Sequence, residues 1–374
     1  MDEQEIIERS AEPMEAVAWG LVAAVAIAGA RAAVKGETGV STAVAAAAIA
    51  AAVVGARRRA AAALDRGSVV MVESVADAND GAHAAGAFAS VGREYGGWKS
   101  SAAMRAVVGN AARETAQVSA AVGVGEITLR HWGGERMAVD AWVRSVMDDA
   151  AAAVAGGEHI SGATLRAVRS VMAQGGVSVG YHGKNYDVAG FVRQRAWDGA
   201  HMTLQGLRDE TGKAVGWTGV QVSAHAFCAP DHLEYQGRTY TGIEFQSIQD
   251  HLERPLGMWN CRHVMTPCPD DARSVYTERE LEMMARESTR EVTLTGLDGK
   301  QHTMSRYEAS QWQRGMERGI RGAKVEAQAM EIVGDSQAAR EARARSRELS
   351  ARLREGAEEA GLRLDARRVR VGTI

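Results

Sequence analysis

VSAHAFCAPDHLEYQGRTYT (222–241) is the most informative stretch of this 374-residue chain, and GMWNCRHVMTPCPDD (257–271) follows it closely. Proline and glycine punctuate both segments, and residues 225–268 are predicted to be loop-like because they lack a helical or alternating apolar pattern. Histidine and cysteine concentrate here and are thin elsewhere: His225, Cys228, His232, Cys261, His263 and Cys268. A structural or chemical centre is therefore predicted in this loop region.

This set of residues predicts a zinc site, because zinc in proteins takes four cysteine or histidine ligands in a tetrahedron. We expect His225 and His232 to supply one half of the site, and Cys261 and His263 the other. Cys228 is an alternative ligand of the first half. Zinc is the only cofactor that these residues suggest.

Three other interpretations fit the same residues. The histidine and cysteine side chains can stabilise a loop-rich region by hydrogen bonds, with Cys261 as a small buried apolar group. The run NCRH (260–263), together with His225 or His232, faintly resembles a His-Asn-His nuclease finger. Cys261 can also pair with a histidine as a nucleophile, although no oxyanion-hole motif accompanies it.

The flanks of these loops predict both strands and helices. Valine alternation predicts a strand at 218–223, and the sequence from 276 to 292 predicts a helix. Asp298-Gly299 predicts the turn of a β-hairpin. A long charged helix is expected over about 304–360, followed by a final strand within LRLDARRVRV (362–371).

The part of the chain before the loops is predicted to be helical. Amphipathic periodicity over 66–155 favours a helical bundle or stalk. Ser161 is predicted to cap the next helix, and Asp187 to cap a further helix that begins at Val188. The predicted fold class is α+β, with a mostly helical N-terminal region, a small mixed domain that carries the His/Cys loops, and a long C-terminal helix ending in a strand.

The first 65 residues are unusually rich in alanine. Residues 1–13 are predicted to form a polar arm that ends at Pro13, and the runs 16–30 and 38–56 carry no charge. A pair of alanine-rich helices that pack on each other or on neighbouring subunits is the favoured interpretation. The alternative is a membrane hairpin over 14–56, since the second run approaches the length that spans a bilayer.

Composition narrows the function classes. A net charge of −3 gives no global sign of nucleic-acid or anionic-membrane binding. Three cysteines argue against a disulfide framework and fit a reducing compartment. The acidic N-terminus lacks the pattern of a secretory signal, so synthesis in the cytoplasm is expected. Aromatic residues make up only 5%, and we therefore expect partners to add stability.

Basic side chains form two groups near the C-terminus. Four lie three or four residues apart on one predicted helix: Arg314, Arg318, Arg321 and Lys324. Others follow in the last segment: Arg363, Arg367, Arg368 and Arg370. Contacts with DNA phosphates or with a partner protein are the functional prediction, and the helix stripe is also expected to dock onto the region of the His/Cys loops or onto a neighbour. A solvated face with i,i+4 ion pairs is the alternative.

Several ordered motifs resemble one known family. The runs Val222-Ser223-Ala224-His225 and Trp259-Asn260-Cys261-Arg262-His263 are similar to marks of the phage minor capsid proteins of type 2, relatives of the Mu F-like head morphogenesis proteins. Between and beside them stand further motif residues: Ser223, His232, Gln236, Gly237, Tyr240, Trp259, Asn260 and Arg262. The resemblance covers about 155–372, including the helix from Tyr307 to Lys324.

The chain departs from the family pattern at two places. The arginine that the family usually carries after the first histidine is missing from FCAPDH, where Cys228 stands instead. HLERPLGM (251–258) replaces a glycine-rich approach to the second motif. Both changes bear on which side chains act as ligands.

The resemblance implies a structural minor capsid protein of a tailed phage, not an enzyme. It implies a few copies at or near the portal vertex, with a role in head assembly and in DNA packaging or ejection. The implied partners are the portal protein, other head proteins and phage DNA, and the implied location is the virion after assembly in the host cytoplasm. The alternatives are a metal-dependent nuclease-like or other hydrolytic domain in the head, and an ejected channel protein that enters a membrane through 14–56. The predicted regions are 1–65, 66–155 and 156–374.

Overall fold

The computed structural model describes residues 3–37, 42–258 and 261–371. Two long helices come first, α1 at Glu3–Glu37 and α2 at Thr42–Asn79. They pack on each other, and α1 also contacts helices of the middle and C-terminal parts of the chain. The predicted pair of alanine-rich helices is confirmed.

The predicted polar arm at 1–13 is wrong, because α1 begins at Glu3 and contains Pro13. Ile7, Ala11 and Met14 are at most 6% exposed and lie on one face of the helix. A proline inside a helix removes one backbone hydrogen bond and costs about 3 kcal/mol. Burial of this apolar stripe offsets that cost and keeps the chain helical through residue 13.

Close packing explains why the first helix is so poor in bulky side chains. A Cβ atom added at Gly29 would lie 2.6 Å from the ring of Trp142, and one at Gly36 would lie 2.2 Å from the carbonyl oxygen of Met147. Within the described residues, one helical segment, Ile7–Gly36, has the length and composition to cross a membrane. Its most apolar window is 72% buried inside the protein, as expected of a core helix.

Five helices follow: α3 at Ala85–Ser90, α4 at Ala102–Val124, α5 at Val139–Ala155, α6 at Ile160–Met172 and α7 at Val188–Val215. The predicted cap of α7 is confirmed, since the Asp187 carboxylate accepts a hydrogen bond from Gly190 N at 2.8 Å. The predicted cap of α6 is wrong. His159 caps that helix, and the Ser161 hydroxyl instead donates to Asp335 at 2.6 Å.

Four short strands lie between these helices: β1 at Ile127–Arg130, β2 at Arg136–Ala138, β3 at Val177–Tyr181 and β4 at Lys184–Asp187. They form an antiparallel sheet in the order β2-β1-β3-β4. The sequence pattern did not predict them, because strands of three to five residues are too short to display a clear alternation.

A second sheet carries the His/Cys loops. Its strands are β5 at Gly219–Val222, β6 at Thr239–Tyr240 and β7 at Met265–Cys268, in the antiparallel order β6-β5-β7. Strand β5 confirms the strand predicted at 218–223. Helix α8, Gly242–His251, follows β6 and begins with a capping box between Thr241 and Glu244. The loop-like structure predicted over 225–268 is therefore wrong at β6, α8 and β7.

The C-terminal part begins with α9 at Glu278–Thr289, which confirms the predicted helix. The hairpin of β8, Glu291–Thr295, and β9, Gln301–Ser305, confirms the predicted turn at Asp298-Gly299. The single helix predicted over about 304–360 is wrong. The chain forms α10 at Arg306–Ile332 and α11 at Ser336–Ala360, which pack together after a break at Gly334 with φ +77°.

The predicted final strand is also wrong, because Ala366–Val369 forms a 3₁₀ turn. Two side chains of α10 donate to its backbone carbonyls: Arg321 to Arg368, and Lys324 to Val369 at 2.6 Å. These carbonyls thus find partners without a neighbouring strand.

The α+β fold class is confirmed, and the main core joins distant parts of the chain. Its buried apolar residues run from Ile7 to Ala339 in one cluster. The predicted boundary at residue 65 falls inside α2, and residue 155 is the last residue of α5. The division into three regions stays a prediction.

Candidate metal centre

The pairing of β5 with β7 brings the two His/Cys loops together. The strands are antiparallel, with Val222 opposite Met265, so the end of β5 lies beside the start of β7. Beyond the strands, Ser223 N donates to Val264 O, and Val264 N donates to the Ser223 hydroxyl, both at 2.9 Å. The loop after β5 and the loop before β7 therefore leave the sheet at the same point.

Several predicted motif residues shape the first loop. The Gln236 side chain accepts a hydrogen bond from His225 N at 3.1 Å. Gly237 has φ +71°, and a Cβ atom there would lie 2.1 Å from the Leu281 side chain, so only glycine fits. The Tyr240 hydroxyl donates to Tyr235 O at 3.2 Å. Trp259 and Asn260 lie outside the described residues.

The loops place two thiols against two imidazoles. Cys228 Sγ is 3.1 Å from His263 Nε2, and Cys261 Sγ is 3.4 Å from His232 Nδ1. The ligand atoms of His232, Cys261 and His263 all lie within 4.8 Å of one another. These four residues are at most 4% exposed. We call Cys228, His232, Cys261 and His263 the His/Cys centre.

The other nitrogen of each imidazole is held by a backbone carbonyl. His232 Nε2 lies 2.7 Å from Arg254 O, and His263 Nδ1 lies 2.9 Å from Ser223 O. Carbonyl oxygens only accept, so each of these nitrogens carries the proton. In the neutral rings, His232 Nδ1 and His263 Nε2 are therefore bare lone pairs that face the thiols.

Burial keeps the centre neutral when no metal is present. Burial, with help from nearby histidines, lowers the pKa of His263 well below its ordinary value, and burial also lowers the pKa of His232. Burial raises the pKa of both the Cys228 and the Cys261 thiols. A thiol that stays protonated is a poor nucleophile, so this environment does not activate either cysteine.

Of the predicted first-half ligands, the structure brings His232 into the centre and leaves His225 beside it. The His225 ring lies 4.5 Å from the His263 ring, and its Nδ1 is 2.9 Å from Ala226 O. Cys228, the alternative ligand, takes the place next to His263. Phe227 has a left-handed backbone conformation, with φ +67°. The chain turns there, and the side chain of the next residue, Cys228, points inward.

One face of α7 supports the second loop, a role that was not predicted. Trp197 Nε1 donates to Cys261 O at 3.1 Å, and Gln205 Oε1 accepts from Met265 N at 3.2 Å. His201, between them on the same face, is 2% exposed, and burial and the nearby Arg208 lower its pKa to about 4. The spacing of four residues along one helix face was the only available signal.

A profile of one protein family, described as phage minor capsid protein 2, matches residues 69–356. The chain belongs to this family. No curated protein and no solved structure matches the chain. A minor capsid protein is a structural component of the phage virion, and the matched residues include the whole His/Cys centre.

In this capsid protein, the predicted basic stripe of α10 is mostly engaged within the chain. Arg321 is 4% exposed, and Lys324 donates to the C-terminal turn. Arg314 donates to Gln311 at 3.3 Å, and Arg318 donates to Gln174 at 3.3 Å. The alternative of a solvated stripe is therefore wrong for Arg321, whereas contact of the stripe with DNA or a partner stays a prediction.

The basic residues of the last segment face the acidic start of α1. Arg367 pairs with Glu12 at 2.9 Å, and Arg368 pairs with Glu8 at 3.5 Å. Glu8 also pairs with Arg262 of the second loop at 3.6 Å. Both ends of the chain thus meet at the His/Cys loops, whereas Arg370 is exposed.

Proposed function

We propose that this minor capsid protein is built into the phage head at or near the portal vertex, where it acts in head assembly and in DNA packaging or ejection. The observation that carries the proposal is the family match over most of the chain. The expected partners are the portal protein and other head proteins, with phage DNA as a further contact. Assembly is expected in the host cytoplasm before the protein enters the virion.

We also propose that the protein catalyses no reaction. Metal-dependent hydrolases keep an open coordination position for water or substrate. Here the ligand atoms of His232, Cys261 and His263 cluster, Cys228 Sγ lies beside His263 Nε2, and burial raises the pKa of both thiols, so neither is activated. These features favour a structural centre over the nuclease-like and cysteine-nucleophile alternatives. Burial of the apolar window of α1 likewise favours a head protein over a membrane channel.

The decisive experiment is to count and locate the protein in particles. Purified mature virions and DNA-free heads would be compared by quantitative mass spectrometry, and a tag on the chain would be located by asymmetric cryo-electron microscopy. We expect far fewer copies than the major capsid protein, confined to one vertex and cross-linked to the portal. A protein spread over the whole shell, or absent from particles, would contradict the proposed location.

The enzyme alternative needs its own assay. The full chain would be incubated with linear double-stranded DNA in the presence of zinc, magnesium or manganese, with a His263→Ala variant alongside. We expect no cleavage above the level of that variant. Metal-dependent cleavage that the variant loses would show that the family member carries an enzyme.

A further inference from the structure

We infer that the His/Cys centre holds one zinc ion through four protein ligands: Cys228 Sγ, His232 Nδ1, Cys261 Sγ and His263 Nε2. The donor set is two sulfurs and two imidazole nitrogens, which are the ligands of structural zinc sites. The inference goes beyond the proposed role in the head, and it exchanges His225 for Cys228 in the ligand set expected from the sequence.

The distances fit a zinc tetrahedron with little rearrangement. Zinc–sulfur bonds of about 2.3 Å and zinc–nitrogen bonds of about 2.0 Å place neighbouring ligand atoms roughly 3.5 Å apart. The two thiol–imidazole distances here are 3.1 and 3.4 Å. The ligand atoms of His232, Cys261 and His263 lie within 4.8 Å of one another, and Cys228 Sγ would close on this group from its place beside His263 when the ion binds.

The hydrogen bonds around the centre have the arrangement that metal-bound histidines need. A ligating imidazole commonly donates its other N–H to a carbonyl or carboxylate, which fixes both the tautomer and the ring orientation. Arg254 O does this for His232, and Ser223 O does it for His263. The nitrogens left bare by these bonds are the two that face the thiols.

The structure around the centre indicates that a bound metal would stabilise this part of the fold. Among the described residues, the local apolar cluster has four buried members, Val222, Leu256, Cys261 and Met265, and its other apolar members are partly buried. The strands of this sheet have two to four residues, and long loops connect them. A zinc ion bound by these side chains would contribute folding free energy directly to this part of the fold.

The test is the zinc content of the purified full chain, measured by mass spectrometry after expression with added zinc. We expect about one zinc ion per chain in the wild type and its loss in Cys261→Ala and His263→Ala. Cys228→Ser should bind zinc much more weakly, whereas His225→Gln, the matched control, should keep it. A folded wild-type chain without metal overturns the site. Zinc that survives Cys228→Ser but not His225→Gln overturns the ligand set.

Cobalt substitution covers the case in which a variant fails to fold. The wild-type chain loaded with Co²⁺ should show the absorption of a tetrahedral ion with two thiolate ligands. Removal of the metal from the wild type by a chelator should lower its melting temperature. An octahedral spectrum without thiolate charge transfer, or a melting temperature that the chelator leaves unchanged, would contradict a structural thiolate site.

A second inference rests on the cavity next to this centre. The cavity has a volume of about 240 Å³ and is lined by three arginines, Arg254, Arg262 and Arg314, and on another side by His232, Cys261 and His263 of the centre. Tyr307 and Ser310 add hydroxyls to its wall, and no carboxylate is among the described residues that line it. We propose that this cavity binds a phosphate group.

The charges around the cavity support an anion. Arg254 pairs with Asp231 at 3.1 Å, and Arg262 pairs with Glu8 at 3.6 Å. Neither Asp231 nor Glu8 lines the cavity. Arg314 donates to the neutral Gln311. Burial, with a smaller contribution from the nearby arginines, lowers the pKa of Arg314 to about 9. Arginine forks with hydroxyl donors match the geometry of phosphate oxygens.

Two sources offer this group, free phosphate and the terminal phosphate of DNA. The melting temperature would be measured with inorganic phosphate against chloride at equal ionic strength, for the wild type, Arg314→Gln and the exposed control Arg340→Gln. We expect a rise of about 2 °C at ten times Kd in the wild type and the control. Arg314→Gln should show no rise, and an equal rise in that variant would overturn the site.

Oligonucleotides distinguish the sources. Binding of a 5′-phosphorylated strand would be compared with binding of the same strand without the phosphate. Tighter binding of the phosphorylated strand that requires Arg314 would identify the DNA end as the ligand. Equal binding of both strands, together with an Arg314-dependent response to inorganic phosphate, would identify free phosphate.

Discussion

The guanidinium carbon of Arg321 lies 4.0 Å from the centroid of the Trp19 ring. Arg321 belongs to α10 and Trp19 to α1, and both side chains are at least nine-tenths buried. Arg321 also donates to the Arg368 carbonyl, so one buried cation joins the first helix, the tenth helix and the C-terminal turn. This contact fastens the two ends of the chain to the body of the protein.

We expect Arg321→Met to lower the free energy of unfolding by about 2 kcal/mol, because a desolvated cation–π contact contributes about that amount. The buried Glu317 would also lose a nearby positive charge. Urea unfolding of Arg321→Met, Trp19→Leu and the double variant measures the coupling. A coupling energy near zero would show that the contact adds no stability.

Gly29→Ala should destabilise the protein by about 1 to 3 kcal/mol, since the new methyl group would overlap the Trp142 ring in a close-packed core. Gly315→Ala is the matched control, because Gly315 lies inside α10 with nothing within 4 Å of an added Cβ. The control should gain up to about 1 kcal/mol from better helix propensity. Equal effects of the two changes in thermal unfolding would contradict this packing.

Asp198→Asn should stabilise the protein at pH 8 and have little effect at pH 4. Burial raises the pKa of Asp198 to about 6, and its buried Oδ1 has no hydrogen-bond partner among the described residues. A raised carboxyl pKa favours the protonated form in the folded state. Its stabilising effect is therefore present below the unfolded pKa and is lost as the pH rises through 6.

The expected gain at pH 8 is about 2 kcal/mol, from a shift of roughly two pKa units with a reduction for partial exposure. Urea unfolding of wild type and variant at both pH values measures it. The difference between the two proteins removes the contribution of all other titrating groups. A constant difference from pH 4 to pH 8 would exclude Asp198 as the cause.

Arg368→Gln should loosen the first turns of α1, because Arg368 pairs with Glu8 and packs beside the acidic face of that helix. The loss of a partly buried ion pair of about 1 kcal/mol corresponds to roughly fivefold faster amide exchange. Hydrogen–deuterium exchange of residues 3–16 measures this change. The exposed Arg370→Gln is the control, and equal exchange in both variants would mean that Arg368 does not hold the helix.

The sequence predicted those turns, helix caps and strands whose formation depends only on residues close to one another along the chain. The Asp-Gly turn at 298–299 needs only its own backbone conformation to form a hairpin. Asp187 caps a helix through a hydrogen bond three residues away, and the alternating valines of β5 mark a short strand. The helix over 304–360 was predicted too long, because Gly334 is one weak break in a strongly helical pattern.

The sequence by itself determined the family and the two segments that carry histidine and cysteine, because the order of motifs and the residue types can be recognised without a three-dimensional structure. Only the tertiary structure decided that Cys228 Sγ lies next to His263 Nε2, and that His201 of α7 is buried between the two residues that support the second loop. Likewise it decided that the basic residues at the C-terminus pair with the acidic start of α1. The physical reason is that irregular loops have no periodicity to orient their side chains, so contacts between residues distant in sequence select which groups point inward.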